Sequence, residues 1–138
     1  MFIYPMAAMV LYIFVVGLYN FVVRFRAIKS KELKVSHFRT YDTSGSAIPE
    51  RVTIVGRHFD NQFQLPMLFL ITLTAAQTMP LYNSPVILPL AWGFVLTRVV
   101  HGSIHLGTND IRLRAISYFA GWGCVVAIWL VMALQSMG

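Results

Sequence analysis

Three ionisable side chains recur at helical spacing in an otherwise apolar part of the chain. Arg98, His101 and His105 lie three and four residues apart. At about 100° per residue they fall within an arc of about 60°, so they form one polar stripe on a helix. Guanidinium and imidazole groups donate hydrogen bonds, and a guanidinium pairs well with a carboxylate. The stripe therefore favours a site for an anionic, hydrogen-bonding ligand.

A second polar stripe precedes the first in the chain. With Arg57 at 0° on a helix, Asn61 lies at about 40° and Gln64 at about 340°. Arg57 and Asp60 could instead mark the lipid headgroup boundary, and the histidines of the first stripe could serve as hydrogen bonds between helices. Two stripes at one depth on successive helices favour a shared polar cavity, because polar groups inside a membrane are costly without a function.

The histidines could also suggest a metal site. His101 and His105 are four residues apart, which suits two imidazole ligands, and His58 or Asp60 could be a third ligand. Arg98 shares the histidine face, and its positive charge disfavours a bound cation. We therefore expect an anion-binding site and no metal.

The composition indicates that these polar residues lie within a membrane. The chain has 138 residues, 57% hydrophobic and 12% charged, whereas soluble domains have about 25% charged residues. The length suits one domain. The formal net charge of +6 would raise nucleic acid as a partner, but the placement of the basic residues argues against it. The single cysteine, Cys124, excludes an internal disulfide.

Long uncharged stretches predict the helices. Residues 1–23, 61–97 and 115–138 contain no Lys, Arg, Asp or Glu, and a spanning helix needs about 20 apolar residues. The middle stretch is too long for one span and is interrupted by turn residues at 78–85. The first stretch lacks the features of a signal peptide, so we predict a retained helix. The prediction is an all-α integral membrane protein, a single four-transmembrane-helix bundle over residues 1–138, with helices at about 4–25, 54–78, 85–107 and 111–135.

The basic residues predict the orientation of these helices. The basic residues lie in or next to two connections, residues 26–53 and 107–112. The N-terminus, the 79–84 turn and the C-terminus have no Lys or Arg. The positive-inside rule therefore places both connections in the cytoplasm and both termini outside. Within the long connection, residues 43–49 are predicted to be flexible. The residues between or at the ends of the first two helices are Arg24, Arg26, Lys29, Lys31, Lys34, Arg39 and Arg51, and those at the start of the last helix are Arg112 and Arg114.

Both stripes resemble motifs of the MAPEG family, the membrane-associated proteins of eicosanoid and glutathione metabolism. The second helix of that family carries Arg-x-x-x-Asn-x-x-Glu followed shortly by Pro, and the matching residues here are Arg57, Asn61, Gln64 and Pro66. Leukotriene-synthase-like members carry Arg-x-x-Tyr-x-x-x-Tyr-x-x-x-x-x-x-Arg, and the matching residues here are Arg98, His101, His105 and Arg112. The segment 61–69 looks like a bacterial branch of the family, which implies a bacterial inner membrane protein.

The resemblance implies a homotrimer with ligand sites between neighbouring protomers, near the cytoplasmic face. It also implies that glutathione is the cofactor and that a lipophilic small molecule, an electrophile or a peroxide, reaches the site from the membrane lipid. The arginine matching Arg112 is implied to stabilise the glutathione thiolate. The implied glutathione-binding residues are Arg57, Asn61, Gln64, Arg98, His101 and His105.

This chain departs from the family pattern at three of those positions. Gln64 stands where glutamate is expected, and His101 and His105 stand where tyrosines are expected. The leading hypothesis is a glutathione-dependent transferase or peroxidase. A non-catalytic lipid-binding or scaffold member of the family is the alternative. A small transporter that uses the histidine stripe as a relay is a third hypothesis.

Overall fold

The computed structural model describes residues 1–40, 47–79 and 84–137. Every regular element in these ranges is helical, which confirms the predicted all-α class. The elements are α1 (Ile3–Lys29), α2 (His37–Thr40), α3 (Glu50–Asp60), a 3₁₀ turn (Asn61–Phe63), α4 (Leu65–Gln77), α5 (Ile87–Leu106) and α6 (Ile111–Ser136).

Among the described residues, three helices are long and apolar enough to cross a bilayer. α1, α5 and α6 have 27, 20 and 26 residues and mean hydropathies of 2.2, 1.4 and 1.8. At a rise of about 1.5 Å per residue, even the shortest reaches about 30 Å, the thickness of the hydrocarbon layer. Their outer faces expose large apolar side chains, such as Phe14, Leu96 and Phe119. Contact of such an apolar surface with lipid is favourable, whereas its contact with water is unfavourable.

The segment predicted as one helix over residues 54–78 is broken, which corrects that prediction. α3 begins earlier, at Glu50, and the backbone leaves helical geometry at Gln64, with φ −105° and ψ −102°. Pro66 explains the break because its ring would clash with the carbonyl of Gln62, and it has no N–H to bond that carbonyl. The polar residues around the break are consequently arranged differently from those of a continuous helix.

A shared core joins α1, α4, α5 and α6. The rings of Phe69 and Phe94 stack with centroids 4.1 Å apart, and Met9 and Ile128 are fully buried beside them. The indole N–H of Trp129 on α6 donates a hydrogen bond to the Thr72 hydroxyl on α4, at 3.0 Å. In lipid, such packing and interhelical hydrogen bonds hold helices together, since lipid tails are as apolar as the core.

The connection between α5 and α6 determines where α6 begins. Asn109 adopts φ 53°, a left-handed conformation that asparagine tolerates better than most residues. Its backbone N–H donates to the carbonyl of Ile104 at 2.7 Å. The Asp110 carboxylate then accepts a hydrogen bond from the backbone N–H of Leu113 at 2.9 Å and caps α6. This cap stabilises the first turn of α6.

Two sequence predictions fall partly on residues that the structure does not describe. Residues 43–46 of the segment predicted to be flexible lie outside the described residues, as do residues 80–83 of the turn predicted at 78–85. The described part of the long connection contains α2 and the turn that ends α1.

Candidate functional site

The polar stripe on α5 points into the bundle. Arg98, His101 and His105 have exposed fractions of 0%, 3% and 1%. The imidazole centroids of His101 and His105 are 5.8 Å apart. The predicted convergence of these side chains is therefore present, but they lie in the protein interior and not at its surface.

Residues of α3 and the 3₁₀ turn pack against this stripe. The ring centroid of His58 lies 5.3 Å from that of His105 and 6.1 Å from that of His101. The Gln62 amide nitrogen donates to the backbone carbonyl of His58 at 2.9 Å and lies 3.3 Å from its Nε2. His58 and Gln62 are both fully buried. The sequence stripe through Arg57 thus lies beside, and not on, the face of α3 that meets α5.

α1 adds a tyrosine to the same group. The Tyr12 hydroxyl lies 3.3 Å from Nε2 of His58 and 3.2 Å from the backbone carbonyl of Arg98. It therefore joins three helices, α1, α3 and α5, through one polar atom. We call Tyr12, His58, Gln62, Arg98, His101 and His105 the buried polar cluster.

Arg98 gives the buried polar cluster a strong positive charge. None of its three guanidinium nitrogens has a hydrogen-bond partner among the described residues. Its Cζ lies 5.9 Å from the centre of the Tyr118 ring, whose face attracts cations. A buried cation without a counter-charge is destabilising, so this end of the bundle electrostatically favours a nearby anion. In the described ranges, no three His, Cys, Asp or Glu residues are arranged to hold a metal ion.

A pocket of about 490 Å³ opens beside the buried polar cluster. Polar groups reach it from three elements: the 3₁₀ turn and the residue after it, α5, and α6. We call it the α6 pocket. Its lining residues are Asn61, Gln64, His101, Ile111, Arg114, Ala115, Tyr118 and Phe119.

His101 links the buried polar cluster to the α6 pocket. It lines the pocket, and its Nδ1 lies 3.1 Å from the backbone carbonyl of Arg114 and 3.2 Å from the Ser117 hydroxyl. Since a carbonyl can only accept, the first contact requires a proton on Nδ1. In the neutral ring, Nε2 is then an acceptor, and it has no partner among the described residues.

Of the two arginines that begin α6, only Arg114 faces the α6 pocket. Its guanidinium donates to the Asn109 side-chain oxygen at 2.8 Å, so the turn before α6 holds it in place. Arg112 is exposed and is not among the lining residues. Because the two arginines are two positions apart on a helix, they are separated by a rotation of about 200° and point in nearly opposite directions.

Only part of the second predicted stripe lies at the α6 pocket. Asn61 is half-buried and Gln64 is exposed, and both line the α6 pocket together with His101. Arg57 is exposed and does not line it. The structure therefore brings Asn61, Gln64 and His101 to one pocket and leaves Arg57 outside it.

Sequence reasoning did not assign four residues of this region to the site. Two of them belong to the buried polar cluster, namely Tyr12 and Gln62. The other two line the α6 pocket, namely Arg114 and Tyr118. Some of the relevant spacing is visible in the sequence: Gln62 follows His58 by four residues, and Tyr118 follows Arg114 by four. No spacing indicates Tyr12, because it lies in a different helix, 46 residues before its partner His58.

Comparison with known protein families matches residues 2–134 to the MAPEG family. The matched range includes every residue of the buried polar cluster and of the α6 pocket. A search of curated proteins finds no match.

Proposed function

Because this chain belongs to the MAPEG family and has helices able to cross a bilayer, we propose that it binds glutathione, or a similar anionic thiol, in the α6 pocket. It would conjugate the thiol to a lipophilic electrophile or use it to reduce a lipophilic peroxide. The convergence of Asn61, Gln64, His101 and Arg114 on one pocket carries this proposal.

The polar lining suits a small peptide with carboxylates. Arg114 can pair with a carboxylate or a thiolate, and the amides of Asn61 and Gln64 can both donate and accept hydrogen bonds. The uncharged Gln64 would hold the amino group of glutathione less strongly than a carboxylate would. Arg98 and His105 lie behind His101, where we propose that they bind indirectly, by adding positive charge and keeping that ring in place.

The reacting species would be the thiolate, and a guanidinium next to the sulfur increases its population at neutral pH. Arg114 is our first candidate for this role because it lines the pocket. Arg112, the motif match, is exposed, and we propose that it and Arg57 act on a ligand held between protomers. The electrophile would dissolve in the bilayer and approach along the apolar surface.

We propose that the assembly and orientation follow the family and the charge pattern. The protein would form a homotrimer in a bacterial inner membrane, with the α3–α4 segment as a fourth span. Both termini would lie outside, and the long basic connection would lie in the cytoplasm. Native mass spectrometry in detergent would then give three chains of 15.6 kDa, and a protein that remains monomeric would contradict the trimer.

Calorimetry with the full-length protein in detergent tests glutathione binding. We expect measurable binding at millimolar glutathione, and Asn61→Ala or Arg114→Ala should weaken it about tenfold to a hundredfold, since a hydrogen bond to a charged group contributes about 1.5–3 kcal/mol. No binding heat from the folded wild-type protein would refute the cofactor proposal.

The ultraviolet absorbance of bound thiolate distinguishes the two arginines. We expect Arg114→Ala to lose the thiolate signal and Arg112→Ala to keep it. The opposite result would assign the thiolate to Arg112 and favour a site completed by a neighbouring protomer.

A non-catalytic lipid-binding or scaffold role is the second candidate. Two observations favour it: the uncharged Gln64 in the pocket, and the many large apolar side chains on the outer surface. Mass spectrometry would detect lipid bound to the purified protein, and an activity assay would measure conjugation of model electrophiles with glutathione. Bound lipid without any conjugation would support this role over the enzyme.

A further inference from the structure

A second polar pocket lies between the end of α1 and the start of α3. Its volume is about 380 Å³. It shares no lining residue with the α6 pocket. We call it the α1–α3 pocket, and its lining residues are Tyr19, Val23, Arg26, Ala27, Ser30, Glu32, Pro49, Arg51 and Val52.

Two guanidinium groups face this pocket. Arg51 is held in place, because one of its nitrogens donates to the backbone carbonyl of Leu106 at 2.9 Å and another donates to the Tyr19 hydroxyl. Arg26 is exposed on the last turns of α1. A pair of guanidiniums suits a phosphate, which arginine can bind through two parallel hydrogen bonds.

The turn that ends α1 adds a carboxylate to the same pocket. Lys31 adopts φ 62° and reverses the chain, so that the backbone N–H of Glu32 donates to the carbonyl of Ala27 at 3.0 Å. The Ser30 hydroxyl lies 2.9 Å from Glu32 Oε1 and 3.2 Å from the carbonyl of Ala27, so its one proton is shared between these two acceptors. The pocket therefore combines two positive groups with one negative group that keeps oxygen atoms available for an amine.

The α1–α3 pocket is placed where a lipid headgroup would lie. α1 is apolar along its length and acquires its basic residues only near its C-terminal end, as expected at a membrane interface. Leu11, Val15 and Leu18 are exposed on α1. At about 100° per residue these three lie within about 80° of Arg26, so an exposed apolar strip runs along α1 towards the pocket.

We propose that the α1–α3 pocket binds the headgroup of a phosphatidylethanolamine-type lipid. The phosphate lies between Arg26 and Arg51, the primary ammonium donates to Glu32, and the acyl chains follow the exposed strip of α1. Each charge of the headgroup meets an opposite charge, because the phosphate lies between two guanidiniums and the ammonium faces a carboxylate. Phosphatidylglycerol lacks the ammonium, and the trimethylammonium of phosphatidylcholine has no N–H to donate to Glu32. This inference is independent of the glutathione proposal.

Native mass spectrometry tests the lipid preference. The delipidated full-length protein is incubated with vesicles of phosphatidylethanolamine and phosphatidylcholine, or of phosphatidylglycerol and phosphatidylcholine, and retained lipid is counted. We expect phosphatidylethanolamine to be retained over both other lipids. A wild-type preference for phosphatidylglycerol, or no retained lipid, would overturn the proposal.

Variants at the pocket distinguish specific recognition from general attraction of basic residues to membranes. Arg26→Ala should lower retention of phosphatidylethanolamine about fivefold, as expected for a basic group worth about 1 kcal/mol at a membrane surface. Glu32→Gln should remove the preference for phosphatidylethanolamine over phosphatidylglycerol. Lys29→Ala is the matched control, because Lys29 is exposed on the same turn and does not line the pocket.

Two further outcomes count against the proposal. If Lys29→Ala and Arg26→Ala lose equal amounts of retained phosphatidylethanolamine, lipid binding depends only on the net charge of this surface. If free phosphoethanolamine displaces the lipid at equal concentration, the pocket recognises the soluble headgroup and not the lipid, because the acyl chains would then add nothing to binding.

Discussion

At the scale of single residues, the polar side chains divide into two neighbouring groups with different surroundings. The buried polar cluster lies inside the bundle, where Arg98 is completely enclosed. The α6 pocket is open and presents Asn61, Gln64 and Arg114. His101 belongs to both, so a substitution there would affect ligand contacts and interior packing together. Arg114 is consequently the cleaner position at which to test ligand binding.

Close approach of helices at Gly102 makes the buried polar cluster sensitive to one added methyl group. A Cβ there would overlap the Tyr12 hydroxyl and lie 3.0 Å from Nε2 of His58. Gly102→Ala should therefore lower the free energy of unfolding in detergent by about 1–3 kcal/mol, the usual effect of overpacking. Thermal or denaturant unfolding in detergent would measure it.

Gly123 provides the control for that substitution. A Cβ at Gly123 would meet no atom within 4 Å, and alanine favours helix more than glycine does. Gly123→Ala should leave stability unchanged or increase it. Equal destabilisation by both substitutions would show that the contact between Gly102 and Tyr12 does not limit packing.

At the scale of elements, helix ends and breaks place the functional groups. The 3₁₀ turn ends at Phe63, and the backbone break at Gln64, two residues before Pro66, separates the direction of Gln64 from that of Arg57. The cap at Asp110 begins α6 a few residues before Arg114, which lines the α6 pocket. The left-handed turn at Lys31 places Glu32 against the end of α1. These helix ends and breaks adjoin residues that line the two pockets.

The turn at Lys31 makes a prediction about stability. A non-glycine residue in the left-handed region is disfavoured by about 1–2 kcal/mol, partly offset by the greater flexibility of glycine in the unfolded chain. Lys31→Gly should therefore raise the free energy of unfolding by roughly 0.5–1 kcal/mol. Chemical denaturation in detergent would measure the change.

Lys34→Gly is the matched control for that prediction. Among the described residues other than glycine, only Lys31 and Asn109 have positive φ, so glycine at position 34 relieves no strain. Lys34→Gly should leave stability unchanged or lower it. A similar gain from both variants would point to the loss of a positive charge as the cause.

At the scale of the whole molecule, charge is separated from the apolar surface. α1, α5 and α6 present apolar faces outward, and the basic residues gather at the connection between α1 and α3 and at the start of α6. Under the positive-inside rule, this asymmetry predicts the orientation in the membrane. The same basic end carries both pockets, so a soluble thiol and a lipid headgroup would approach from the same side.

Cysteine labelling tests the predicted orientation. In a Cys124→Ala background, Ser136→Cys and Lys34→Cys each provide one exposed thiol. A membrane-impermeant maleimide should label Ser136→Cys in intact cells and Lys34→Cys only after permeabilisation. The reverse pattern would show that the basic connection lies outside.

The sequence by itself determined the class of protein and indicated about half of the polar residues of the buried polar cluster and the α6 pocket. Hydropathy and charge placement are properties of contiguous stretches, so they indicate membrane helices without any knowledge of packing. Periodicity predicted that Arg98, His101 and His105 share a face, because three residues on one regular helix have a known rotation between them. Motif spacing led to the family that the comparison then established.

Only the tertiary structure decided which faces meet. The break before Pro66 changes the helical phase of the second stripe, so counting residues from Arg57 does not predict where Gln64 points. The choice between Arg112 and Arg114 depends on how α6 is rotated against α5, and the structure shows that Arg114 lines the pocket. Tyr12 joins His58 across two helices, and no local pattern contains that contact. Packing between distant segments determines how each helix is rotated relative to its neighbours. Sequence periodicity describes the rotation between residues of one helix, but not the rotation of one helix against another.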